Sequence, residues 1–171
     1  MLTKFISVAA LSLVTVGAAH AEGLYAGPLL TRATVSFDAG GDANPTTVGA
    51  LLGMSINKNF AIEARLGTGL SDDSISGVDI KVDNFAGIYA KGILPVSNAA
   101  SVYGLLGYTQ GKIKAEFAGQ SASDSDSDVS YGIGAEFAVS GTTSVGVEWA
   151  RFFKGDNYKV DGLSLAVSFK F

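Results

Sequence analysis

The feature that most constrains this chain is a two-residue alternation in which charge and glycine share one phase and large apolar side chains share the other. In FAIEARLGTGL, Phe60, Ile62, Ala64, Leu66 and Leu70 stand against Ala61, Glu63, Arg65, Gly67 and Gly69. In YGIGAEFAV, Tyr131, Ile133, Ala135, Phe137 and Val139 stand against Gly132, Gly134, Glu136 and Ala138. Val145, Val147 and Trp149 oppose Ser144, Gly146 and Glu148, and Val48, Ala50, Leu52, Met54 and Ile56 oppose Thr47, Gly49, Gly53 and Ser55. Period two means strands with two unlike faces. A water-facing strand surface has no reason to select glycine, which weakens strands, whereas the crowded interior of a narrow barrel needs backbone without side chains. The charged, glycine-rich phase therefore faces inward and the apolar phase outward. An outward apolar face suits lipid, where a mid-depth charge costs ~2–4 kcal/mol.

Eight such runs are expected, at about 23–36, 46–56, 60–71, 78–93, 100–114, 129–139, 143–154 and 160–171. Tight links at 57–59, 95–98 and 140–142 alternate with longer polar ones at 38–45, 71–77, 119–128 and 154–158. Long and short connections in strict alternation are the mark of an up-and-down barrel with loops outside the cell and turns in the periplasm. A soluble up-and-down barrel shares that alternation, so the faces decide. The fold class expected is all-β, an eight-stranded antiparallel up-and-down transmembrane β-barrel, closed because unpaired backbone groups cannot be satisfied in hydrocarbon. The final stretch GLSLAVSFKF fits: Leu163, Leu165, Val167, Phe169 and Phe171 form an outward row, with Ser164, Ala166, Ser168 and Lys170 inward.

The other terminus addresses the compartment. Lys4, an apolar run from Phe5 to about Gly17, and Ala19 and Ala21 form a secretory signal peptide over residues 1–21, leaving a barrel domain over 22–171. The apolar run is shorter than the ~20 residues of a membrane-spanning helix. Cleavage removes Lys4 and the one histidine, His20, leaving 11 basic and 16 acidic side chains. That acidic balance argues against nucleic acid as a partner. The absence of cysteine excludes disulfides, thiol chemistry and thiolate metal sites.

Six charges fall on the inward phase: Glu63, Arg65, Lys91, Glu136, Glu148 and Lys170. An eight-stranded lumen is filled by side chains, so a self-solvating network of ion pairs, joining Glu63, Glu136 or Glu148 to Arg65 or Lys91, is expected rather than acid–base catalysis. Alternate Asp124, Asp126 and Asp128 lack the glycine and distal glutamate of a calcium loop and are expected to be solvated. No cofactor and no metal are expected.

The segments VDNFAGIYAKGILPV (82–96) and SVYGLLGYTQGK (101–112) resemble the fourth and fifth strands of the eight-stranded outer-membrane β-barrel family of the OmpA, OmpX and opacity-protein type. Phe171, with Phe169 two before it, resembles the C-terminal signal read by the barrel-assembly machinery. The resemblance implies a bacterial outer-membrane location, with the bilayer and lipopolysaccharide as surroundings and an extracellular partner left open. In that family Glu and Lys/Arg pairs of this kind plug the interior and can act as a gate, which makes Glu63, Lys91, Glu136 and Glu148, with Arg65 as a second cation, the gate-like positions here. No periplasmic cell-wall-binding domain is expected after the barrel. Barrel enzymes of similar type use a histidine beside serine or aspartate, which the cleaved chain lacks, so no enzyme is expected. Two readings stay open: a structural or surface-interaction barrel, and a narrow gated pore.

Overall fold

The computed structural model describes residues 23–171 other than 39, 76–77, 118–119 and 156–157, so the expected signal peptide lies outside the described residues. The strands are β1 (Leu24–Phe37), β2 (Asp42–Ala43), β3 (Thr46–Asn57), β4 (Phe60–Ser71), β5 (Asp73–Ile75), β6 (Val78–Pro95), β7 (Ala100–Phe117), β8 (Gln120–Ala138), β9 (Thr143–Lys154) and β10 (Tyr158–Lys170). Eight are long and pair antiparallel in the order β1-β3-β4-β6-β7-β8-β9-β10, while β2 and β5 are short additions against β1 and β6. β10 closes the barrel by pairing with β9 on one side and β1 on the other, from Phe37↔Tyr158 down to Tyr25↔Lys170. Beyond the last pair, the Phe171 amide donates to the Leu24 carbonyl at 3.1 Å. The closing strand has no free edge.

The three tight turns share one device. The side-chain oxygen of the first turn residue accepts backbone amides two and three residues on: Asn57 Oδ1 from Asn59 and Phe60, Ser97 Oγ from Ala99 and Ala100, Ser140 Oγ from Thr142 and Thr143. Asn and Ser mimic a backbone turn in this way, which lets two strands reverse within a few residues.

The faces divide as the alternation requires. Leu163 is 58 % exposed, Leu165 and Phe169 are exposed, and Phe171 is 73 % exposed, while Ser164 is buried and Ala166 and Ser168 line the interior. Ile62, Leu66, Ile88, Leu106, Ile133, Val147 and Trp149 continue this apolar exterior around the barrel. So large a continuous apolar surface on a folded chain is incompatible with water and matches a bilayer.

The main departure lies at the outer end. The polar stretch at 119–128, expected as a loop, runs mostly as strand: β7 and β8 stay in register from Ala100↔Phe137 to Phe117↔Gln120. On this part of β8, Ser127 on one face and Asp126 and Asp128 on the other are polar alike, which suits a ribbon standing in water. β6, β7 and β8 are 18, 18 and 19 residues long against 12 to 14 for the other barrel strands. They form a raised wall on one side of the mouth.

Candidate functional site

The interior is built where inward side chains of β4, β6, β8 and β9 converge. Arg65, on β4, points its guanidinium across the barrel to β9 and holds Glu148 in a two-pronged pair, Nη1–Oε1 at 2.6 Å and Nη2–Oε2 at 2.8 Å. The same guanidinium reaches Glu63 Oε2 from Nη2 at 2.6 Å and from Nε at 2.9 Å. Lys91 Nζ on β6 then bridges Glu63 Oε1 at 3.2 Å and Glu136 Oε2 at 2.8 Å. The result is one chain of alternating sign, Glu148–Arg65–Glu63–Lys91–Glu136. Four of its members are almost completely buried, and the Glu136 side chain, 26 % exposed, is the open end.

Alternation is the physical reason such a row tolerates burial. A charge taken from water costs several kcal/mol unless opposite charges and hydrogen bonds replace the lost hydration. Each cation here sits between two carboxylates, and the remaining carboxylate capacity is met by phenols: Tyr25 OH donates to Glu63 Oε1 at 2.8 Å and Tyr103 OH to Glu148 Oε2 at 3.0 Å. The Arg65 guanidinium lies 4.7 Å from the Tyr89 ring centroid, and Lys91 Nζ lies 3.9 Å from that of Tyr103, so ring faces cover the cations. Among the described residues no buried side-chain nitrogen or oxygen lacks a hydrogen-bond partner.

Glycine makes room for these tyrosines. A Cβ on Gly53 would fall 2.1 Å from the Tyr25 ring, and one on Gly134 would fall 2.4 Å from that of Tyr103. The charge-plus-glycine phase is thus a set of slots in which rings lie flat against bare backbone and present their hydroxyls to the carboxylates. The inward phase identified the charges but not Tyr25, Tyr89 and Tyr103. Tyr89 shares its phase with Lys91, and glycine on neighbouring strands was the available signal. Lys170, the sixth inward-phase charge, stands apart from the chain at the periplasmic mouth and is exposed. Phe169 and Phe171 lie on the exterior at that same end.

Stacked along the lumen are four layers. A vestibule of about 480 Å³ opens at the periplasmic mouth, lined by Lys58, Ser97, Lys170 and the Lys91–Glu136 end of the charge chain. Beside the charge chain only about 20 Å³ is free, room for about one water. Above it comes a hydroxyl layer: Tyr89 with Thr109 at 2.5 Å, Ser130 donating to Thr109 at 2.6 Å, and Thr31 with Ser164 at 2.8 Å. The outer end is filled by Ala33, Val35, Ala43, Ile80, Phe153 and Val160. A register shift opposite Val160 and Asp161 turns Phe153 inward and leaves Arg151 paired with Asp161, at 2.7 Å. The loop after β1 folds over this plug, with the Ala33 amide donating to the Pro45 carbonyl and the Asn44 amide to Asp73 Oδ2.

Comparison with known proteins agrees with this architecture. Similar solved structures include Ail, the attachment invasion locus protein of Yersinia pestis. It is 22 % identical, with 88 % of this chain and 99 % of that chain covered and a TM-score of 0.68. Neisserial surface protein A is 17 % identical over 87 % of this chain and 97 % of that chain, with a TM-score of 0.69. The N-terminal barrel domain of Pseudomonas aeruginosa OprF is 10 % identical, with 84 % and 97 % covered and a TM-score of 0.56. At these identities the likeness is one of fold. No curated protein matches the chain. The family described as "Outer membrane protein beta-barrel domain" matches residues 6–171, so this chain, with its closed sheet and lipid-facing exterior, belongs to that family of bacterial outer-membrane proteins.

Proposed function

We propose that the chain is a closed, non-enzymatic outer-membrane barrel whose work is done at the cell surface, in adhesion, surface recognition or envelope integrity. One observation carries this reading: the lumen is obstructed at two levels, by the charge chain with about 20 Å³ beside it and by the apolar plug above. A barrel so filled anchors what stands above it. What stands above it here is the raised wall of β6, β7 and β8. The names of two similar structures, an attachment invasion locus protein and a surface protein, belong to those proteins and agree with a role of this kind.

Against catalysis, no histidine follows residue 20, and Glu63, Glu136 and Glu148 are all engaged by Arg65 or Lys91. Residues 1–21 act as the export signal, and Phe169 with Phe171 as the signal for barrel assembly. The second reading, a narrow gated pore, is favoured by the periplasmic vestibule, which ends on the Lys91–Glu136 pair. Conduction then requires the charge chain to exchange partners and the apolar plug to move.

Liposome swelling with a small sugar separates the two. Vesicles carrying the folded chain should swell no faster than empty ones. Swelling at the rate given by a general porin would refute the closed barrel.

A further inference from the structure

We propose that the periplasmic vestibule is a binding site for a short zwitterionic peptide, whose ammonium end completes the charge chain at Glu136 and whose carboxylate end meets Lys170 and Lys58. The charge chain holds three carboxylates against two cations, so it ends one negative charge in excess, and that excess is not shared evenly. Both oxygens of Glu63 and both of Glu148 are taken, by Arg65, Lys91, Tyr25 and Tyr103. Glu136 gives Oε2 to Lys91, and among the described residues its Oε1 has no partner. This is the end of the row that opens on the vestibule. Alternation of sign is what lets the row stand inside the barrel, and the next member in that order is a cation. Neither Lys58 nor Lys170 supplies it, since both are exposed at the rim and neither forms an ion pair with Glu136.

The walls beside Glu136 are cut back. Glu136 faces Ser101 on β7 and Gly146 on β9, and Gly146 in turn faces Ala166 on β10. A Cβ on Gly146 would meet nothing closer than 3.6 Å, so this glycine, unlike Gly53 and Gly134, is not needed to seat a ring; it leaves space at the carboxylate. Towards the rim the inward positions include Ser55, Ser144 and Ser168. Above the charge chain the hydroxyls satisfy one another, Thr31 with Ser164 and Ser130 with Thr109. Below it the hydroxyls of Ser55, Ser101, Ser144 and Ser168 line the cavity and have no hydrogen-bond partner among the described residues. A serine hydroxyl both donates and accepts, so this ring suits the N–H and C=O groups of a peptide main chain.

Charge and length select the occupant. Glu136 at the floor calls for a cation, while Lys58 and Lys170 at the rim repel a ligand that carries positive charge alone and attract a carboxylate. An ammonium at one end and a carboxylate at the other satisfy both. Lys170 lies four residues beyond Ala166, the position joined through Gly146 to Glu136, which is about 13 Å along the strand. Three extended residues reach about 10 Å, and the flexible Lys170 stem covers the rest. A single amino acid, with its charges about one residue apart, is too short to hold both ends. The cavity of about 480 Å³ lies within the ordinary range of small-ligand pockets, ~300–1,000 Å³.

This site goes beyond the surface role proposed above and rests on it only for the compartment that the vestibule faces, so failure of the closed lumen shows in vesicle swelling and failure of the site in a separate titration. The isotope-labelled chain from residue 22, folded in micelles, is titrated with tri-alanine and followed through the amide resonances of Ser101, Gly146 and Ser168. Folding of each variant is first confirmed by heat-dependent gel migration. Tri-alanine should shift these amides and saturate. N-acetyl-tri-alanine and tri-alanine amide should each bind about 10- to 100-fold more weakly, the scale of one lost charge-assisted contact. E136Q should bind tri-alanine no better than the unmodified chain binds the acetylated peptide, and K58Q/K170Q no better than it binds the amide. The acetylated peptide tests the Glu136 end without altering the protein. K154Q, at the outer end of β9, should change nothing. Absence of saturable shifts, equal affinity for the acetylated peptide or the amide, unchanged affinity in E136Q or K58Q/K170Q, or an equal loss in K154Q would each overturn the assignment.

Discussion

At the scale of single residues, the interior turns on Arg65. Among the described residues it is the only cation that grips two almost fully buried carboxylates, Glu63 and Glu148, and it does so through four hydrogen bonds. Replacing it with methionine keeps the length and removes the charge, which leaves Glu148 buried with no cation and Glu63 with Lys91 alone. R65M should therefore lower stability by about 3–5 kcal/mol, read as a shifted urea midpoint for the chain folded in vesicles. An unchanged midpoint would mean that the ion pairs contribute nothing. The charges were legible in the sequence because a carboxylate on the inward phase of a lipid-facing strand has no other place to go. The tyrosines were not, since a tyrosine in a strand is equally at home at the membrane interface, as Tyr108 and Tyr131 are. Only the depth of the slots over Gly53 and Gly134 tells the two apart.

At the scale of strands, depth in the bilayer decides what each outward position tolerates. Leu165 sits midway along β10 between Leu30 and Val147, whereas Ser127 lies outward on β8 beyond Val129 and accepts a hydrogen bond from Tyr108. An arginine at the first position should cost ~2–4 kcal/mol, and at the second no more than about 1 kcal/mol. Urea titrations of L165R and S127R in the same vesicles measure both, and equal costs would remove the raised wall from the aqueous side. Strand ends were legible to within a few residues wherever turn residues punctuate the chain, as at Asn57, Ser97 and Ser140. They were not legible at 119–128, because polarity marks contact with water and not the absence of a ladder. Nor did periodicity reveal the folding of the loop after β1 over the lumen, which depends on Ala43 and Pro45 being buried by residues distant in sequence.

At the scale of the whole molecule, a lipid-facing shell and a filled lumen follow from the same alternation. The outward phase supplies the apolar belt, and the inward phase supplies charge, phenol and glycine in proportions that leave only about 20 Å³ free beside the charge chain above the vestibule. Closure by β10 onto β1 removes the sheet edge, so the shell holds together independently of anything bound above it. The central claim is that this shell is not a conduit, and single-channel recording in planar bilayers tests it most directly. The refolded chain should give no steady conductance steps, and E63Q/E136Q/E148Q should give none either, because the apolar layer of Val35, Ile80, Phe153 and Val160 remains in place. Large, steady steps that change when Glu63, Glu136 and Glu148 are neutralised would contradict it.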